Sequence, residues 1–184
     1  LIIMYNAGSN ALGFTAVFEP IVDEFGWSHT QISLAASLRG LERGLLAPVA
    51  GILSDRWGPN KVVFGGLILC SIGMILLSKA SSLTMFFSSF ILIGIGVSAT
   101  ATPLLMVLVL NWFPKNGGLA MGIAASGVAL GGLLLPIVTL FIDSFGWRQA
   151  IFIIGIGVLV FPLPLSFLLR KKTEKYKDLP NNEK

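Results

Sequence analysis

Apolar runs of about 20 residues, long enough to cross a bilayer as a helix, follow one another along this chain with short polar breaks between them. They lie at roughly 1–22, 28–54, 61–79, 82–111, 118–142 and 148–169. Lipid offers no partner to an open backbone group, so each run must satisfy its own N–H and C=O groups, which an α-helix does. Barrel strands would instead alternate in polarity over segments of about ten residues. Composition agrees: only 12% of residues are charged, against about 25% in a soluble domain. The expectation is an all-α membrane protein with six transmembrane helices.

Residues 1–169 would form this bundle and 170–184 a basic cytoplasmic linker or tail. Leu1 opens directly in apolar sequence with no initiator Met, so the first span reads as truncated and the chain as a fragment. Ser28 and Gln31 match a capping box opening the second span, and Ser81 or Ser82 can cap the fourth. Trp27, Trp57, Trp112 and Trp147 fall at span ends, as in an interfacial aromatic belt. Arg56, Lys61, Lys115, Arg170, Lys171, Lys172, Lys175, Lys177 and Lys184 would share one side, leaving Lys79 and Arg148 on the other. That bias places the 55–61 loop, the 112–117 loop and both chain ends in the cytoplasm of a cell-membrane, multi-pass protein. It also explains the net charge of +4 without a nucleic-acid partner.

The second span carries Arg39, Glu42 and Arg43 near its middle. At 1.5 Å per residue Glu42 lies ~21 Å along a span of ~40 Å, and the charges share an arc of about 100°. Each costs roughly 2.5–3.5 kcal/mol at mid-bilayer unless it faces protein or water. Three roles are open. An ion pair of Glu42 with Arg39 or Arg43 would lock the helix to a neighbour. One arginine left over would attract an anionic substrate, for which a guanidinium fork is suited. A protonated Glu42 would carry a coupled proton. Gly40, Gly44, Ala47 and Gly51 form a small-residue stripe expected to pack closely against another helix, and Pro48 is expected to kink the span.

Asn6 and Asn10 give the first span a mildly polar face, a further substrate-binding candidate. Glu19, the deepest of Glu19, Asp23 and Glu24, is a second proton candidate at the outer mouth. Thr100, Thr102 and Pro103 suggest a kink in the fourth span, and Gly118-x-x-x-Gly122 and Gly127-x-x-x-Gly131 suggest close packing in the fifth. Cys70 reads as a packing residue. His29 is the one histidine, so no His/Cys metal set is expected. No catalytic motif is found and no cofactor is implied.

The segment Gly51-Ile-Leu-Ser-Asp55-Arg56-Trp57-Gly58-Pro59-Asn60-Lys61 resembles the signature loop of the major facilitator superfamily. Gly51, Asp55, Arg56 and Gly58 match it, Pro59 and Asn60 replace its basic pair, and Lys61 follows one place late. Glu24-Phe25-Gly26-Trp27-Ser28, Asn111-Trp112-Phe113-Pro114-Lys115 leading into Gly118–Ala124, and Gly146-Trp147-Arg148 are similar to its monocarboxylate and oxalate–formate branch. The resemblance implies a secondary active transporter moving a small organic anion by alternating access. This chain would be the N-terminal six-helix half, partnered by a missing C-terminal six-helix half, and a proton could be co-transported. Gly51, Asp55, Arg56, Gly58 and Lys61 would form the cytoplasmic gating loop. A non-transporting sensor or scaffold on the same frame is the alternative, and an enzyme is not expected.

Overall fold

The computed structural model describes residues 3–4, 7–8, 13–26, 28–113, 116–162 and 164. Among the described residues the chain is helical, with no strand. The helices are α1 (Gly13–Phe25), α2 (His29–Trp57), α3 (Pro59–Ser78), α4 (Leu83–Ala99), α5 (Thr102–Trp112), α6 (Gly117–Gly132), α7 (Leu135–Phe145) and α8 (Trp147–Val160). Three stretches are long and apolar enough to cross a membrane: Pro59–Ser78, Leu83–Trp112 and Gly117–Phe145. The α8 helix is apolar but shorter. The α2 helix has ample length at 29 residues, but Arg39, Glu42 and Arg43 interrupt its apolar character.

The helix starts follow local chemistry. Ser28 accepts from the Gln31 N–H at 3.3 Å, and the Gln31 side chain accepts from the Ser28 N–H at 3.0 Å, completing the capping box. Ser82 caps α4 through the Met85 N–H at 3.3 Å. Between α2 and α3 the chain turns on Gly58, whose φ of 87° favours a residue without Cβ, and Pro59 opens α3 where its missing N–H costs nothing.

Two apolar runs are broken rather than continuous. The fourth breaks at Thr100–Ala101, where Pro103 lacks the N–H that would carry the helix through. The Thr100 hydroxyl donates to the carbonyls of Gly96 (3.1 Å) and Val97 (3.2 Å), satisfying itself on its own backbone. The fifth breaks at Leu133–Leu134, just before Pro136 in the first turn of α7. Sequence reasoning expected the first break and overlooked the second, although Pro136 carries the same signal.

The core centres on α3, which packs against α4, α8 and α2. Its contact with α4 is backbone to backbone. A Cβ added at Gly96 would lie 2.5 Å from the Cys70 nitrogen and 2.6 Å from the Gly66 carbonyl oxygen, and one at Gly73 would lie 2.9 Å from the Ile93 nitrogen. Buried Cys70 is thus a packing residue. On the α8 side the buried Ser71 hydroxyl donates to the Gly155 carbonyl at 2.7 Å. Leu67, Met74 and Leu77 of α3, Phe86, Phe90 and Ile93 of α4, and Ile151 and Val158 of α8 fill the space between.

Candidate functional site

On α2 the residues turned toward the bundle recur every four positions. Leu38, Glu42 and Leu46 are half-buried, and Ala50 and Ser54 are buried. Glu42 therefore stands on the face of α2 that packs. Its carboxylate rests against Gly94 of α4, so that a Cβ added at Gly94 would fall on it. On the same face of α4, one turn further, Ser98 is 4% exposed and its hydroxyl has no hydrogen-bond partner among the described residues. An acid thus sits midway along the α2–α4 contact, in a slot opened by a glycine.

The glycine stripe behaves differently from expectation. Gly40, Gly44 and Ala47 are exposed, and among the described residues nothing lies within 4 Å of a Cβ added at Gly40, Gly44 or Gly51. At about 100° per residue this stripe faces away from Glu42. Leu41, Leu45, Val49 and Ile52 of α2 are likewise exposed. The close approach expected of small residues falls instead on Gly66, Gly73 and Gly96, and on Gly127 and Gly131. The last two meet the first span: a Cβ at Gly131 would lie 2.7 Å from the Met4 carbonyl oxygen and 2.8 Å from the Ala7 Cβ. Gly118 and Gly122, the other expected pair, are open.

Arg39, Arg43 and Glu19 lie on helical backbone, with side chains outside the described set. Asn6 and Asn10 fall outside the described residues. At the α2–α3 turn Asp55, Arg56 and Lys61 are exposed, and Gly51 and Gly58 are half-buried. The charged side chains of this loop thus point outward from the bundle, available to groups outside it.

A second polar cluster, unforeseen from sequence, closes the other end of the molecule. Arg148 at the start of α8 pairs with Glu24 of α1 at 2.9 Å and donates to the Ser78 carbonyl at the end of α3 at 3.1 Å. The Trp147 indole N–H donates to the second Glu24 oxygen. The guanidinium also stands over the rings of Phe25 and Trp147, at 5.3 and 4.7 Å from their centroids. Hydrogen bonds from Arg148, then from Trp147, and the Arg148 charge hold the Glu24 carboxyl below its ordinary range despite opposing desolvation. Trp147 is 4% exposed, so it works as a buried donor rather than as a belt residue, whereas Trp57 is exposed at its helix end. The available signal was the pairing of an acid in Glu-Phe-Gly-Trp with a base in Phe-Gly-Trp-Arg, at the ends of spans that meet on the same side.

Comparison with known proteins places this arrangement. The family model for the Major Facilitator Superfamily matches residues 1–184, and the chain belongs to that family of membrane transporters. It is similar to monocarboxylate transporter 13 of Rattus norvegicus, with 31% identity over 163 residues covering 83% of this chain and 38% of the relative. Human monocarboxylate transporter 11 is 31% identical over 158 residues, covering 80% of this chain and 33% of the relative. A fujikurins efflux protein of Gibberella fujikuroi is 34% identical over 135 residues, covering 72% and 28%. The chain thus spans roughly a third of the length of the curated relatives it matches.

Proposed function

We propose that the chain is one wall of a secondary active transporter that moves a small organic anion, such as a monocarboxylate, by alternating access. Its six apolar runs cross the membrane as one six-helix half, with both ends cytoplasmic. The remainder of the protein supplies a second half, and the anion binds between the two near the bilayer midplane. The observation that carries this reading is the charged centre of α2: Arg39, Glu42 and Arg43 stand mid-span, where a charge must face protein or a wet cavity and marks a polar pathway by default. The substrate class is supported by the names of two relatives, both monocarboxylate transporters.

Within that trio the roles divide. Glu42 lies on the packed face of α2, which suits the role of counter-charge fixed at the α2–α4 contact. Arg39 and Arg43 are the anion-binding candidates, with Asn6 and Asn10 of the first span as further candidates. Proton coupling through Glu42 or Glu19 is the finer alternative, and the Asp55 loop is the cytoplasmic gate. The test is uptake of labelled pyruvate by the complete protein in proteoliposomes, with and without an imposed pH gradient. Arg39→Gln or Arg43→Gln should insert normally and lose most uptake. Unchanged uptake in both variants removes the arginines from the site. Binding without flux in the wild type would identify a sensor instead.

A further inference from the structure

The contact between Glu42 and α4 is made possible by one missing side chain. We propose that Gly94 is a positioning residue: its bare Cα forms the slot that holds the Glu42 carboxylate at the centre of the α2–α4 interface. The inference rests on the reading that the α2 charges serve transport, but its geometric core does not.

Three observations converge on it. A methyl at Gly94 would occupy the place of the Glu42 carboxylate, so the two positions are mutually dependent in space. Gly94 differs from Gly96, the other glycine of α4: Gly96 meets the backbone of α3 at Gly66 and Cys70, whereas Gly94 meets a side chain of α2. Ser98, one turn along the same face, is buried with a hydroxyl that no described group engages, so polar surface continues past the carboxylate. An apolar helix flank does not need a glycine facing an acid, nor a buried serine beyond it. Both choices fit a face shaped to receive a carboxylate. A fixed carboxylate in turn fixes the charge field felt by cations one turn away on α2, among which Arg39 stands three residues before it.

Size and charge can be separated by experiment on the complete protein. Gly94→Ala should lower the thermal midpoint and reduce pyruvate uptake at least tenfold. Adding Glu42→Asp, one methylene shorter, makes room for the methyl and should recover the midpoint and most of the uptake. Adding Glu42→Gln, which keeps the length, should recover neither. Gly96→Ala, a lesion in the α3–α4 backbone contact, should not be rescued by Glu42→Asp. The slot is overturned if Gly94→Ala matches wild type in midpoint, or if Asp fails to rescue it, or if Asp rescues Gly96→Ala equally well. If wild-type protein takes up no pyruvate, the cargo assignment fails while the midpoints alone still decide the slot.

Discussion

Helices α2 and α3 carry glycines at similar helical spacing, and the fold uses them in opposite ways. Gly66 and Gly73 of α3 meet α4 with no room for a methyl group, while Gly40, Gly44 and Gly51 of α2 meet nothing among the described residues. The helix with the sealed glycines has no charge in its interior and is held by α4, α8 and α2. The helix with the open ones carries the mid-span charges and packs along a single stripe through Glu42. Spacing of small residues therefore permits a close approach without assigning it. What decides is which face must bury the more difficult group, and on α2 that is the acid.

The contrast can be broken most severely at its sealed side. Gly96→Ala forces α3 and α4 apart, and overpacking of this kind costs about 1–3 kcal/mol. A clear fall in thermal midpoint in detergent is the expected outcome, and an unchanged midpoint would mean the two backbones are not in contact. A smaller effect is expected at Ser71→Ala, which removes the buried hydrogen bond from α3 to Gly155 of α8. Interhelical bonds of this type are worth roughly 0.6–2 kcal/mol, and the loss should reappear as faster amide exchange at the centre of α8.

The clasp at the ends of α1, α3 and α8 sharpens the same contrast, because it ties α3 further while leaving α2 out. Glu24 is partly exposed, so its ion pair contributes about 0.2–1 kcal/mol. Its lowered carboxyl pKa fixes the sign. The contribution is complete above the ordinary value of 4.5 and is lost as pH falls through the lowered folded value. Glu24→Gln should reduce the midpoint slightly at neutral pH and bring variant and wild type together in acid. A difference that grows on acidification would contradict the arrangement.

Smallest of all should be Gly44→Ala. In this chain it gains helix propensity worth up to about 1 kcal/mol and meets no neighbour among the described residues. In the complete protein the same change should be destabilising if another element covers the stripe. Comparing the two measurements shows whether the open face of α2 is lipid-facing or part of a larger interface.

The sequence reveals the helix series well, because apolar length, Ser28 with Gln31, Ser82 and the Gly58-Pro59 turn all act within a few residues of themselves. The break at Thr100 was legible for the same reason. Contacts across the bundle were much less so. Gly127-x-x-x-Gly131 proved to be a packing site and Gly118-x-x-x-Gly122 did not, although the two motifs look alike, since only the first lies opposite the first span. The Glu24–Trp147–Arg148 cluster joins residues 123 and 124 positions apart, which no local pattern encodes. At the candidate site, the midpoint position of Glu42 follows from counting, but its partner Gly94 does not. A glycine on an apolar helix gives no sign that an acid will fill the space it leaves.

The central claim is that the middle of α2 borders a water-accessible route for an anion. Arg43→Cys in a cysteine-free background of the complete protein, treated with a small charged thiol reagent in sealed vesicles, tests it directly. The account predicts modification within minutes while the vesicles stay sealed. A thiol that stays unmodified until the membrane is dissolved would contradict it.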